Sequence, residues 1–247
     1  MTTQEFSNLF DTLLNSYSTE AKFGEISSKK DIVLDEYEKS VLLTQAQDFI
    51  VKSYFDKELN YQGQGFDDSI RRQVDFSTLI KVAKATKAVE GDAFDSRGVL
   101  YTMPSRVLFI LNEKVISNNK SYVVVPINYR EYDRQMSKAF TQPLKKQCWR
   151  LFQNDSNTDF LAEIIPHEDN EIDKYILRYV ERPTPIILTD LSKEGLSIDG
   201  ANNVSECMLN PIIHIDILNK AVELALSTRG NFTSALRGNI EENRTSN

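Results

Sequence analysis

A strand, a proline-rich segment and a capped helix follow one another closely between residues 175 and 226. Along residues 172–181, successive side chains belong alternately to two sets that would lie on opposite faces of a sheet. This period of two predicts a strand. Pro183 and Pro185 fix their own φ angles and bias the preceding residues away from helix, so this part of the chain must run extended. This order restricts the fold to classes that join sheet and helix within a short span.

The helix that follows has a clear start. Asn210 supplies an N-cap side chain, and Pro211 suits the first helical position. Its apolar residues cover two adjacent faces, so we expect the helix to be covered on two sides. These residues are Ile215, Leu218, Val222 and Ala225 on one face and Ile217, Ala221 and Leu224 beside it. Gly230 is the predicted stop.

Two helices are predicted near the N-terminus. Residues 5–14 can form a short amphipathic helix, and the polar residues 15–31 are predicted to form a loop. Asp35 can cap the next helix, and Glu38 can reach back to complete a capping box. An apolar stripe at helical spacing predicts that this helix packs in the core. The stripe consists of Leu42, Ala46, Phe49 and Ile50.

The middle of the chain is rich in β-branched and aromatic residues, which favour strands. We predict one hairpin between residues 107–117 and 121–128, because turn residues separate the two runs. A second hairpin is predicted between residues 147–153 and 160–165. Residues 128–136 are predicted to form one or two helical turns.

The predicted fold class is therefore α+β. It is a helical bundle, made of the N-terminal helices and the C-terminal helix, with an inserted antiparallel β-rich region. Residues 1–76 and 205–230 would form the helical core, and residues 77–204 the β-rich region. Residues 231–247 are predicted to be a mobile tail.

The charge balance constrains which partners the chain can bind. The 247 residues include 29 basic and 36 acidic side chains, a formal net charge of −7. Tight, sequence-tolerant DNA binding needs clustered Lys and Arg, so the charge argues against it. An acidic surface is still compatible with DNA sliding past without adhering. The sequence also has no apolar run long enough for a membrane helix, so no membrane partner is expected.

Side chains with catalytic potential are sparse. Two histidines give little material for a His-based metal site or triad. His214 is interpreted as a local polar contact. Cys148 and Cys207 lie far apart and have no metal or disulfide spacing, which fits a reducing cytoplasm. We therefore expect no catalytic, cofactor-binding or metal-binding residues, and predict that the protein is not an enzyme.

Two alternatives from other functional classes remain. One is a small metal-dependent nuclease that uses Glu168, Asp169 and Glu171, where a solvated hairpin turn is the simpler interpretation. The other is a DNA-binding accessory protein whose tryptophan would stack on bases. Its residues would be Lys145, Lys146, Trp149 and Arg150. The simpler interpretation here is a buried tryptophan beside an arginine that extends its charged head to water.

Three stretches together resemble a known family. The first is residues 34–48, which begin Leu-Asp-Glu-Tyr-Glu. The second is Arg130-Glu131-Tyr132, which leads through Pro143 to Cys148-Trp149-Arg150-Leu151. The third is Arg182-Pro183-Thr184-Pro185 together with Asn210-Pro211. In this order they resemble a head-to-tail connector ring protein, or adaptor, of the crAss-like short-tailed bacteriophages. The resemblance spans residues 34–226 and consists of words and spacings rather than a catalytic signature.

The resemblance implies a structural protein of the virion, at the portal vertex and tail, which is present in the host cytoplasm during assembly. Its expected partners are the portal protein, neighbouring copies in a ring of twelve, and other connector or tail rings. Genomic double-stranded DNA would pass through the channel without specific binding. By analogy, we predict interface residues in the proline segment and in the C-terminal tail. They are Arg182, Pro183, Pro185, Phe232 and Leu236.

Overall fold

The computed structural model describes residues 1–20, 33–55, 74–88, 92–138, 140, 142–154, 160–167 and 171–228. The chain divides into two compact units. The helical unit consists of Met1–Thr78 and Pro183–Asn247, and the barrel unit is Leu79–Arg182. No helix in the described part of the chain has both the length and the apolarity to cross a membrane.

The regular elements of the described residues are as follows. The helices are α1 (Thr3–Glu20), α2 (Glu36–Phe55), α3 (Tyr129–Met136) and α4 (His214–Thr228), and residues Ser192–Glu194 form one 3₁₀ turn. The strands are β1 (Ile80–Lys87), β2 (Val99–Thr102), β3 (Val107–Ser117), β4 (Lys120–Pro126), β5 (Gln147–Asn154), β6 (Phe160–Ile165) and β7 (Lys174–Glu181).

The capping box predicted at the start of α2 is confirmed. The backbone N–H of Glu38 donates to Asp35 Oδ1 at 2.7 Å, and the backbone N–H of Asp35 donates to Glu38 Oε2 at 3.2 Å. Each residue thus satisfies a backbone donor that the first helical turn leaves unpaired. Of the predicted core stripe, Ala46 and Ile50 are buried and Leu42 is half-buried. Phe49, predicted on the core stripe, is instead 42% exposed.

Helix α1 is longer than predicted, because it continues from Thr3 to Glu20. Residues 15–20, predicted as part of a loop, are therefore helical. The buried side chain of Lys39 in α2 joins α1 to α2 through ion pairs. Its Nζ lies 2.7 Å from Asp11 Oδ2 and 3.1 Å from Glu36 Oε1. Burial lowers the pKa of Lys39, but the hydrogen bonds and charges of Asp11 and Glu36 raise it above its usual value overall.

Helix α4 begins three residues later than its sequence predicts. The Asn210 side chain accepts a hydrogen bond from the backbone N–H of Ile212 at 3.1 Å, and residues 211–213 form a turn rather than helix. The helix packs against both α1 and α2, so the prediction that it is covered on two sides is confirmed. Ile215, predicted on a buried face, is 44% exposed. The predicted stop at Gly230 lies outside the described residues.

The seven strands of the barrel unit close into a barrel in the order β1-β2-β6-β5-β4-β3-β7. Every neighbouring pair is antiparallel except β4 and β5. Large apolar side chains fill the interior, as a barrel of this size requires. They include Tyr101, Met103, Val115, Tyr175 and Leu177.

Both predicted hairpins are confirmed. Strand β3 pairs with β4 through the register Ser117↔Lys120, and Asn118 and Asn119 adopt positive φ angles of 48° and 61°. Asparagine tolerates this region, so the pair suits the two-residue turns that join twisted strands. Strands β5 and β6 form the second hairpin.

The parallel pair β4–β5 explains the position of α3. Parallel neighbours cannot be joined by a tight turn and need a crossover connection. Residues 127–146 supply that connection and carry α3 within it. Tyr132 of α3 packs on the outer face of the sheet with Trp149, Leu151 and Ile165. The helix therefore covers one side of the barrel.

The predicted fold class is wrong, because the strands form a closed barrel rather than an antiparallel region inserted in a helical bundle. Each hairpin has a local signal in its turn residues. Closure depends on pairs between distant strands, such as β1 with β7, and on the parallel pair. Such pairs leave no periodic mark in the sequence. The sequence pattern also missed β1, where exposed Lys81, Lys84 and Lys87 dilute the apolar alternation.

Candidate functional site

The acidic run proposed for a nuclease is only partly described. Glu168 and Asp169 lie outside the described residues. Glu171 is exposed, and its backbone carbonyl accepts a hydrogen bond from the Ser117 hydroxyl at 2.5 Å. Among the described residues, no group of three or more His, Cys, Asp or Glu side chains could hold a metal ion. The described part of this run therefore supplies no assembled metal ligands.

The four residues proposed for DNA binding point in different directions. Lys145 and Lys146 are exposed, whereas Trp149 is 4% exposed and meets Tyr132 edge-on at a ring-centroid distance of 6.4 Å. Arg150 follows Trp149 on β5 and so lies on the opposite face, inside the barrel. Trp149 is buried as interpreted, but Arg150 does not extend to water, because its side chain is only 9% exposed.

Arg150 belongs to a buried polar cluster in the barrel. Its Nε lies 3.2 Å from Glu113 Oε1, and the hydroxyl of Tyr175 donates to Glu113 Oε2 at 2.5 Å. Neither Nε nor Nη1 of Arg150 has a hydrogen-bond partner in the described structure, although the ion pair is close. The guanidinium also lies 4.0 Å from the centre of the Phe152 ring. The charges are therefore compensated by proximity more than by aligned hydrogen bonds.

Burial dominates the titration of this cluster. It raises the pKa of the Glu113 carboxyl above its usual value, although the Tyr175 hydrogen bond and the Arg150 charge act in the opposite direction. Burial, with the charge and hydrogen bond of Glu113, also raises the pKa of Tyr175. A carboxyl with a raised pKa is a common feature of general acids. Here it is enclosed and held by two partners of its own chain, so the geometry indicates a structural role.

A second polar cluster lies on the outer face of the barrel and holds the β1–β2 loop. Asp95 is bound by the fork of Arg97, with Nε 3.1 Å from Oδ1 and Nη2 3.0 Å from Oδ2. The Tyr132 hydroxyl donates to Asp95 Oδ2 at 2.5 Å. Glu163, 1% exposed, accepts the backbone N–H of Asp95 at 2.8 Å. The loop is thereby fixed to both α3 and β6.

Opposite pKa shifts mark the two carboxyls of this cluster. Burial raises the pKa of Glu163, and the backbone hydrogen bonds that it accepts only partly offset this effect. Burial acts in the same direction on Asp95, but the hydrogen bonds from Arg97 and Tyr132 outweigh it and lower the pKa of Asp95. Each carboxylate is occupied by partners from the chain itself. The cluster therefore fixes the loop rather than presenting groups to a substrate.

Gly98 is required by the same cluster. A Cβ at this position would overlap Glu163 Oε1 and would also approach the backbone carbonyl of Asp95 closely. Because Glu163 is buried, its carboxylate has little room to move aside. No sequence motif marks this residue, since the constraint comes from a strand more than sixty residues away.

The predicted interface residues of the proline segment pack within the chain. The backbone N–H of Arg182 donates to the Arg106 carbonyl at 2.8 Å, inside the barrel unit. Pro183 and Pro185 are buried in the helical unit, where the Ser205 hydroxyl donates to the Pro185 carbonyl. Phe232 and Leu236 lie outside the described residues. The interface role assigned to these residues stays a prediction.

The segment after Pro183 is bound along one face of α2. Ser40, Thr44 and Gln47 bond the backbone of alternate residues of the extended segment. Gln47 Nε2 donates to the Thr184 carbonyl at 2.8 Å, and Ser40 Oγ accepts the Leu188 N–H at 3.0 Å. Side chains spaced three and four apart on a helix thus match a period of two in extended chain. Polar residues in the middle of α2 were the available signal for this contact.

His214 makes the local polar contact that its sequence position indicates. It is 3% exposed, and its Nε2 lies 2.9 Å from the Leu209 carbonyl. Its ring also stacks at a tilt against Phe6 of α1, with ring centroids 5.3 Å apart. Burial lowers its pKa below the usual value, and the hydrogen bond to Leu209 only partly offsets the effect. The residue therefore helps to join α1 to α4.

Two surfaces with exposed apolar side chains lie on opposite faces of α3. The aromatic groove is lined by Phe94, Tyr129, Tyr132, Asp133 and Leu151. The knob surface is lined by Arg134, Lys138, Phe140, Leu144 and Trp149. Exposed aromatic and aliphatic side chains of this size commonly mark contact surfaces. Sequence reasoning missed both, because the loop residues that form them have no periodic pattern.

The comparisons with known proteins all concern phage ring proteins. A family model described as phage tail ring protein 3/4 matches residues 1–236. "Ring protein 4/5" of Bacteroides phage crAss001 is 44% identical over 229 residues, which cover 91% of this chain and 92% of the relative. "Ring protein 3" of the same phage is 36% identical over 245 residues, which cover 94% of this chain and 98% of the relative.

Proposed function

Because the chain belongs to the phage tail ring protein 3/4 family, we propose that it is a head-to-tail connector ring of a short-tailed phage. The resemblance to crAss-like ring proteins is confirmed, and the chain is a structural ring protein of the virion. The finer role is to dock below the portal, extend the DNA channel and join the capsid to the tail.

One observation carries the proposal: the family match runs through both units. It covers residues 1–236, so it includes most of the helical unit and the whole barrel unit. Both relatives are also matched over more than nine-tenths of their own length. A similarity confined to one unit would show only that the proteins share a module, not that they share a function. Here the family role applies to the chain as a whole.

The chemistry of the described residues supports a role that depends on shape and contacts. The buried charged groups in the barrel are bound to partners of their own chain, such as Glu113 with Tyr175 and Asp95 with Arg97. The net charge of −7 supports passage of DNA without adhesion, because like charges repel. Rotation of identical copies through head-to-tail contacts then closes a ring. We propose twelve copies, to match the portal.

The proposed partners are the portal protein, neighbouring copies and other rings of the connector or tail. The C-terminal residues 231–247 are proposed to reach the portal, with Phe232 and Leu236 as apolar anchors, since terminal segments often order on docking. The β-rich part would then face the tail. During assembly the chain would be present in the host cytoplasm before its incorporation.

Particle mass tests this function directly. Mass photometry of the purified chain, alone and with its portal protein, is expected to show either a ring or a portal complex with one copy per portal subunit. A truncation after residue 230 is the matched variant and should lose the portal complex. A chain that remains monomeric and ignores the portal would refute the connector role.

A further inference from the structure

The two surfaces beside α3 carry exposed apolar side chains of two kinds. Phe140 is 96% exposed, and Leu144, four residues further on, is 57% exposed. Together they form the protruding part of the knob surface. The aromatic groove has buried Leu151 at its base, with Phe94 and Tyr129 exposed by 71% and 65%. An exposed phenyl ring and an aromatic groove are suited to form an apolar contact.

The charges beside the two surfaces are complementary as well. The knob surface includes exposed Lys138 and Arg134, which is paired with Glu131 of α3 at 3.4 Å, and exposed Lys145 and Lys146 follow Leu144. The groove includes Asp133, and exposed Asp92 precedes Phe94 by two residues. One surface is therefore basic and the other acidic at its rim. Opposite charges around an apolar centre fix the register of a contact and accelerate encounter.

The placement on opposite faces of one helix determines what kind of contact can form. Tyr129, Tyr132 and Asp133 of α3 line the groove, whereas Arg134 and Lys138 line the knob surface. Two copies that meet through unlike surfaces form a heterologous contact, which leaves one knob and one groove free for further copies. Repetition of that contact closes a ring when the rotation allows it.

We propose that Phe140 of one copy inserts into the aromatic groove of a second copy of this chain. The occupant is a second copy because one chain carries both the knob surface and the groove, with opposite charges at their rims. Its family is also named for rings. The inference rests on the proposed function, since it supplies the contact between ring neighbours. It assigns that contact to the barrel unit, around α3.

Cross-linking between two single-cysteine variants tests the contact directly. Lys145→Cys lies beside the knob and Asp133→Cys in the groove, and both native residues are exposed. A mixture of the two variants, treated with a short bismaleimide, is expected to give a covalent dimer. Each variant alone should give none, because like surfaces do not meet. The wild type, with its buried Cys148 and half-buried Cys207, controls for the native thiols.

Substitution of the knob gives a second, independent readout. Phe140→Asp should raise the concentration needed for self-association at least about tenfold, because a charge cannot enter the apolar groove. Val204→Asp, at a 51% exposed position of the helical unit, is the matched control and should leave association unchanged. Both side chains are exposed, so neither variant is expected to misfold.

The outcomes separate this contact from the proposed function. A dimer in the mixture together with weaker association of Phe140→Asp supports the contact. No dimer in the mixture, equal dimer from either variant alone, or equal effects of Phe140→Asp and Val204→Asp would overturn it. If any of these occurs while the chain is still found in purified phage particles, only the contact fails. Absence of the chain from particles overturns the proposed function itself.

Discussion

The hydroxyl of Thr44 and the backbone of Ile186 exchange two hydrogen bonds. Thr44 Oγ1 accepts the Ile186 N–H at 3.1 Å and donates to the Ile186 carbonyl at 3.3 Å. Both residues are buried, and 142 positions separate them in the chain. A single side chain therefore satisfies both polar groups of one residue in this extended segment.

Thr44→Val is expected to destabilise the protein by about 1–3 kcal/mol. The substitution keeps the side-chain shape but leaves the buried N–H and carbonyl of Ile186 unsatisfied, which has that cost. Urea unfolding followed by far-UV circular dichroism measures the change. Thr12→Val, at an exposed position of α1, is the control and should change stability by under about 0.5 kcal/mol. Equal effects of the two substitutions would contradict the role assigned to Thr44.

Gly98→Ala is expected to destabilise the protein by about 1–3 kcal/mol, because a Cβ would overlap the buried carboxylate of Glu163. Fluorescence of Trp149 is the measurement of choice, since it is the lone tryptophan and belongs to the barrel unit. Gly195→Asn is the control: φ is 68° there and space is open, so asparagine should cost less than about 1 kcal/mol. A wild-type midpoint for Gly98→Ala would disprove the packing argument.

The Glu113–Arg150 pair should show strong coupling between its two substitutions. Glu113→Leu leaves the Arg150 charge buried without a partner, and we expect a loss of about 3–5 kcal/mol. Arg150→Met should have a similar effect. The double substitution should cost much less than the sum, because it leaves neither buried charge without a partner. A double-mutant cycle by urea unfolding tests this. Simple additivity would show that the charges do not interact.

Stability should fall as the pH drops through the range in which His214 titrates. Burial lowers the pKa of His214 below 6.5 in the folded chain. The unfolded chain therefore binds a proton first, so the free energy of unfolding decreases from about pH 6.5 down to the folded pKa. Urea midpoints at several pH values, for wild type and His214→Gln, measure the difference. If the folded pKa of His214 is not lowered, the difference in urea midpoint between wild type and His214→Gln will not change with pH in this window.

The local features of the fold could be predicted from the sequence, and particular residues show why. Asp35 and Glu38 satisfy each other's backbone donors within one turn of chain. Asn118 and Asn119 tolerate positive φ, which marks the β3–β4 turn. Each of these signals involves residues close together in sequence, where propensity and capping chemistry act directly.

What could not be predicted depends on contacts between distant residues. The pairing of β1 with β7 and of β4 with β5 closes the barrel. Neither pair is joined by a tight turn whose residues would indicate the pairing in the sequence. The sequence predicts that Arg150 reaches water, because its barrel partner Glu113 lies 37 positions earlier, on another strand. Phe140 and Phe94 have no periodic context. Their exposure becomes evident only once α3 is placed on the barrel.

The closed barrel also affects how copies can crowd together. In an open sheet, the outer strands carry unpaired N–H and carbonyl groups that can recruit a strand from another molecule and start aggregation. Here all seven strands have a neighbour on each side, because β1 and β3 both pair with β7. Copies that meet through this unit therefore contact one another mainly through side chains, because the described strands offer few free edges for strand pairing.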